Sequence, residues 1–174
     1  MEAQKRSTTV YLVQRAIPML PRLLCEELCS LNPDVDRFAF SITWKMTPNG
    51  QILGLPWIGK SVIRTCVKMS YDHAQWFIDG HQDWSDSNLP SLHISQGTSM
   101  NEIRQDVLRL YEMSTDMRRN RFDNGALSIN SIKLWFSLDE SGNPMDCGPY
   151  EQKEANRMIE EVKKGSSSLP LMIC

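Results

Sequence analysis

The amino-acid sequence predicts an α+β fold: a mostly antiparallel sheet of short strands with helices packed about it. Three observations carry that expectation. Arg37–Met46 alternates at period two, with Phe38, Phe40, Ile42, Trp44 and Met46 on one side and Ala39, Ser41, Thr43 and Lys45 on the other. Thr47-Pro48-Asn49-Gly50 follows at once as turn chemistry, so a hairpin is expected. Ser99 and Glu102 then stand at capping-box spacing ahead of a helical stripe, Ile103, Val107, Leu110 and Met117.

The remaining elements follow in chain order. Val10–Gln14 reads as a short strand. Pro21 suits the first turn of a helix, where its missing N–H would lack a partner anyway, and Leu20, Leu23, Leu24, Leu28 and Leu31 recur at helical spacing until Asn32-Pro33. Arg37–Met46 is expected to bury one face; after the turn, Gln51–Leu55 is the expected hairpin return, and Ser61–Met69 is another alternating strand. Ser70 caps a short helix from Tyr71 to Asp79, with Asp72 in its first turn and Gly80 just beyond. His81–Thr98 is polar and reads as a surface loop. Leu127–Leu138 is extended, Asp139–Pro144 a turn, and Glu151–Lys164 a helix carrying Ala155, Met158, Ile159 and Val162 on one face. Gly165-Ser166-Ser167-Ser168 then breaks the pattern, and residues 165–174 read as a divergent, disordered tail.

The chain has 174 residues, 41% hydrophobic and 23% charged, long enough for one domain with a core. No run of about 18 apolar residues exists, so no membrane partner is expected. The net charge of −2 confines any nucleic-acid contact to a local patch. Cys25, Cys29, Cys66, Cys147 and Cys174 are odd in number and irregular in spacing, which fits free thiols in a reducing compartment.

Motifs for phosphate-cradling loops, nucleophile elbows and zinc proteases are missing. His73, Asp79, His81, Asp83 and Asp86 form the richest cluster of metal-ligand types, set against a plain polar loop. Asp34 and Asp36 read as turn chemistry after Pro33. Arg64 and Lys68, near Lys60, fall on one face of Ser61–Met69, and Arg118, Arg119 and Arg121 crowd a helix end. Either set can meet phosphates, against the plainer reading of a solvated basic face. Tyr11, Tyr71, Trp44, Trp57 and Trp84 are candidate stacking platforms, although pattern alone places aromatics in a core first.

Several stretches are similar to the RNB domain of ribonuclease II-type 3′→5′ exoribonucleases. They are Val10–Gln14, Ile17-Pro18-Met19-Leu20-Pro21-Arg22, Leu28–Pro33, Arg37–Ser41 with Trp44, Lys68–Tyr71, Arg121-Phe122, Gly125–Leu127 and Glu154–Glu161. The wording is closest to the eukaryotic Dis-three-like branch that works apart from the exosome. The resemblance implies a partial RNB domain over residues 1–164. It implies single-stranded, 3′-uridylated RNA as partner, Mg²⁺ as cofactor and the cytoplasm, including P-bodies, as location. It places Tyr71 at the 3′-terminal nucleotide, Tyr11 along the RNA path and Glu161 at the terminal ribose. Arg64, Lys68, Arg118 and Arg121 are weaker RNA-binding candidates.

The family's metal-binding aspartates precede the segment matched by Tyr11, and no residue here aligns with them. The chain alone is therefore expected to bind RNA without cutting it. A noncatalytic RNA- or protein-binding module is the alternative, as is a nonfunctional truncated product. If Arg37–Met46 has lost neighbouring strands, it should expose apolar surface.

Overall fold

A computed structural model describes residue 5 and residues 7–82, 88–128 and 134–167. It is an α+β arrangement in which every strand pair is antiparallel. The chain forms two compact units. One comprises Met1–Asn32 with Ile129–Glu151, the other Pro33–Ser128 with Gln152–Cys174.

The first unit holds two small ribbons. β1 (Val10–Tyr11) pairs with β2 (Ala16–Ile17), so only the first two residues of the expected Val10–Gln14 strand are extended. The helix foreseen after Pro21 is shorter and wound wider, a π-helical segment over Leu23–Leu28, and its leucines gain little burial. The second ribbon pairs two later strands, numbered β5 (Leu134–Leu138) and β6 (Pro144–Pro149). Sequence reading ended the turn at Pro144. Asp139 closes that turn by accepting from the backbone N–H groups of Ser141 and Asn143, which frees Pro144 to start a strand where proline is tolerated. Residues 129–133 of the expected extended stretch lie outside the described residues.

The second unit begins with a long hairpin, β3 (Asp36–Met46) and β4 (Ile52–Arg64). What reads as two strands, Gln51–Leu55 and Ser61–Met69, is one strand ending at Arg64. Pro56 survives inside it because the register jumps there: Thr43 faces Trp57 while Lys45 faces Leu53. The intervening Gly54, Leu55 and Pro56 bulge out, so proline forfeits no ladder hydrogen bond. Gly50 closes the turn with φ of 81°, a left-handed conformation suited to glycine.

The hairpin corrects one expectation. Alternation alone implied a buried apolar face, and the loss of neighbouring strands an exposed one; Phe38 is 94% and Phe40 72% exposed. Phe38 lies opposite Val62 and Ile42 opposite Ile58, so these residues share one face of a two-stranded ribbon. No further described strand joins that ribbon.

The core of this unit is helical. α1 (Tyr71–Ile78) has a capping box in which His73 takes the place usually held by Glu. α2 (Met100–Asp123) opens with the expected Ser99–Glu102 box. α3 runs over Glu154–Ser167, starting three residues later than expected and continuing through the Gly165–Ser167 breaker. Residues 168–174 lie outside the described residues. The three helices meet at Phe77, Ala74, Ile103, Val107, Ala155 and Met158. Phe77 is fully buried. Of the expected α2 stripe, Ile103 and Val107 reach this core, whereas Leu110 stays exposed and Ser114 is buried instead. The Ser114 hydroxyl donates to the Tyr111 carbonyl, which makes its burial tolerable.

Candidate RNA-binding site

Tyr71 is the first residue of α1, and Ser70 in front of it caps the helix. The His73 ring holds this end in place. Its Nδ1 lies 2.6 Å from Ser70 Oγ and its Nε2 2.9 Å from the Pro90 carbonyl. Asp72, next to Tyr71, pairs with Lys153 just ahead of α3. Gln75 accepts from the Ala155 backbone N–H at 3.1 Å. These contacts fix the N-terminus of α1 against the start of α3. Tyr71 as a residue is left 45% exposed. It borders an apolar cleft of about 500 Å³ lined by Met69, Tyr71, Val107, Leu110, Met158 and Ile159, among others. An anchored, half-exposed ring beside an apolar cleft is a surface on which a base can stack.

Glu161 is charged but not solvated. It lies on α3 three residues after Met158, on the inner face, and is 2% exposed. Its carboxylate accepts from two arginines of α2. Arg121 binds both oxygens, through Nε at 3.0 Å and Nη2 at 2.5 Å, and Arg118 Nη1 reaches Oε1 at 3.3 Å. Both guanidinium carbons also sit near the Phe122 ring, at 5.0 Å for Arg118 and 4.7 Å for Arg121. The carboxylate beside Arg121 holds that guanidinium's pKa above its ordinary value. The buried charge is thus compensated by hydrogen bonds and ion pairs rather than by water. Arg119 turns away to Asp116 on its own helix.

Tyr71, Arg118, Arg121 and Glu161 all belong to the second unit. Tyr11 belongs to the first, on β1, and is 81% exposed. Arg64 closes the hairpin base through Asp36 at 2.6 Å, and Lys68 lies beyond the end of β4, so the two do not share a strand face. Trp44 is half-buried and its indole N–H faces the Met46 sulfur at 2.9 Å, while Trp57 remains exposed. Trp84 lies outside the described residues.

The acid and histidine candidates for a metal are used elsewhere. His73 serves the α1 cap. His81 stacks on Trp76 with centroids 3.7 Å apart, and Asp79 accepts from Gln75. Asp83 and Asp86 lie outside the described residues. Asp34 sits at φ of 62°, a turn position that Asp tolerates, and pairs with His93. Hydrogen bonding, first from Ser95 and then from His93, holds its carboxyl below the usual aspartate value; the hydrogen bond from Arg64 does the same for Asp36. Among the described residues no three His, Cys, Asp or Glu side chains gather as a metal site. The Mg²⁺ that the resemblance implies has no fitting ligand set among them. Cys25, Cys29, Cys66 and Cys147 are free thiols.

Comparison with known proteins places this geometry in a family. The RNB domain matches residues 1–164. DIS3-like exonuclease 2 of Xenopus tropicalis is 51% identical over 160 residues, covering 91% of this chain and 19% of that protein. A protein of Arabidopsis thaliana named inactive exonuclease DIS3L2 is 45% identical over 160 residues, covering 92% of this chain and 15% of its own length. The chain therefore spans less than a fifth of these relatives. The structure of Mycoplasma genitalium RNase R in complex with double-stranded RNA superimposes with a TM-score of 0.76 over 92% of this chain and 26% of that one. At 22% identity that likeness concerns the fold. No helix among the described residues is long and apolar enough to cross a membrane. On the match over residues 1–164 and the identity to these relatives, the chain belongs to the RNB domain family.

Proposed function

We propose that these residues form part of the catalytic domain of a 3′→5′ exoribonuclease acting on single-stranded, uridylated RNA, and that the 174-residue chain by itself holds the RNA 3′ end without cutting it. The observation that carries this reading is Tyr71, a ring anchored by the α1 cap and half open to an apolar cleft. Stacking on such a ring tolerates any base, as an enzyme that removes nucleotides one after another requires. Tyr11, on the first unit, is itself an exposed aromatic on which a base can stack. Hydrolysis is assigned to Mg²⁺ bound by carboxylates that these residues do not supply, and the place of action to the cytoplasm.

The test is direct. Purified chain is mixed with fluorescein-labelled oligouridylate and Mg²⁺. Anisotropy should rise with protein concentration, fall with salt, and be followed by no shortening of the RNA on a denaturing gel. Degradation abolished by EDTA would overturn the noncutting part. Absence of any binding would overturn the RNA reading.

A noncatalytic module is the second reading. The exposed apolar face around Phe38 and Phe40 favours it, since a surface of that kind invites a protein partner. The relative named as an inactive exonuclease is compatible with it.

A further inference from the structure

A second concavity lies beside the buried Glu161, away from the Tyr71 cleft. Its volume is about 360 Å³, and it runs between the β3–β4 turn and the facing parts of α2 and α3. Met46, Met117 and Ile52 form its apolar part. Its polar part is Asn49, Gln51, Asn120, Arg121, Lys164 and the edge of Glu161. The turn is held close to α2: a Cβ on Gly50 would come within 2.2 Å of the Met117 Cγ.

Arg121 is the group that gives this groove a chemistry. A guanidinium carries five N–H donors. Glu161 engages Nε and Nη2 and leaves Nη1 unused by that pair. An arginine gripped along one edge presents its other donors in a fixed plane, the geometry that matches phosphate oxygens. Charge agrees with geometry. Arg118 and Arg121 face the single carboxylate of Glu161, and Lys164 is balanced by Glu160, so the cluster keeps one positive charge. The side-chain amides of Asn49, Gln51 and Asn120 add donors that can reach an oxyanion or a ribose hydroxyl.

We infer that this groove is a phosphodiester subsite for the RNA strand, with Arg121 as the contact and Glu161 as the residue that positions it. The inference rests on the RNA-binding reading and deepens it. It also changes the role of Glu161, which acts through arginine instead of touching the ribose.

The test uses the whole chain, anisotropy, and two probes of equal length: oligouridylate and a base-free deoxyribose-phosphate chain. Arg121→Ala should weaken both probes about tenfold, the scale of one charge-assisted hydrogen bond, and lower the magnitude of the salt slope by about 0.7, one phosphate's share on a single strand. Arg121→Lys should keep the slope and still lose several-fold in affinity. Glu161→Gln gives the sharpest sign. It deletes a negative charge, so plain electrostatics would tighten binding, whereas loss of positioning weakens it. Thermal melts accompany each variant, and Arg121→Lys, which leaves Glu161 paired with Arg118, serves should Glu161→Gln fail to fold. Tighter or unchanged binding by Glu161→Gln, or an Arg121→Ala variant with unaltered affinity and slope, overturns the subsite. If the base-free probe depends on Arg121 while Tyr71→Ala costs nothing on oligouridylate, the subsite stands and the stacking reading falls. If wild-type protein binds neither probe, both fall.

Discussion

Truncating Tyr71 to Ala should weaken oligouridylate binding roughly 30-fold. An aromatic side chain presents about 200 Å², and Tyr71 is 45% exposed as a residue, so at most about 90 Å² is open to a base. At about 25 cal/mol per Å² that area is worth about 2 kcal/mol, inside the range of 1–3 kcal/mol for base–aromatic stacking. Each 1.4 kcal/mol is a factor of about ten in affinity. The other half of the ring packs on the protein, so Tyr71→Ala also loses stability of similar size. Tyr71→Phe separates the two effects, because it keeps the ring and deletes only the hydroxyl. Anisotropy titrations at one fixed salt concentration, beside thermal melts of all three proteins, give both quantities. Tyr71→Phe should behave almost as wild type. A Tyr71→Ala protein that is folded and binds within twofold of wild type would refute the argument, since no other described residue of α1 offers a comparable exposed ring.

Further consequences concern the frame around that site. Phe77→Ala empties the centre of the three-helix core and should cost about 3–5 kcal/mol; a shift under about 1 kcal/mol in urea unfolding would show that α1 to α3 are not one cooperative unit. Gly50→Ala forces an L side chain into φ of 81° and into Met117, so it should destabilise by at least about 1–2 kcal/mol in the same assay. Replacing Phe38 and Phe40 together by Thr should reduce concentration-dependent light scattering without lowering the melting temperature, because neither ring is buried. Asp34 and Asp36 have folded-state pKa values below the ordinary 3.8. Their contribution is therefore complete above that value and lost as pH falls through the lowered folded values. Acid unfolding followed by circular dichroism should show that limb below about pH 4, flattened in an Asp34→Asn/Asp36→Asn protein; an unchanged acid limb would count against these pairs.

Local chemistry made much of this frame legible. The Ser70 and Ser99 caps, the Thr47–Gly50 turn and the positions of α1 and α2 depend on residues within a few places of each other, so the sequence carries them openly. The exposed face of β3 was not legible in the alternation itself, and only the resemblance, through the neighbouring strands it implies are lost, led to expecting it. Alternation reports which residues share a face, not whether anything covers it, and covering is decided by strands far away in sequence. Gln51–Leu55 and Ser61–Met69 read as separate strands, because the bulge that lets one strand run through Pro56 appears only in the pairing register.

Glu161 shows where reading a helix by polarity breaks down. Hydropathy sorts α3 into an apolar stripe and a charged remainder, and so sends every glutamate outward. Yet Met158 and Glu161 are three residues apart, which puts both on the inner surface of the helix. The partners that make this tolerable, Arg118 and Arg121, lie 43 and 40 residues away. A carboxylate buried without them would be costly, so the acid and the two bases form one device written in two distant pieces. The family resemblance implies a contact between Glu161 and the terminal ribose. Its packing ties it first to the arginines. Any contact it makes with RNA is therefore best sought in how those arginines are held, and the opposite signs expected for Glu161→Gln make that choice measurable.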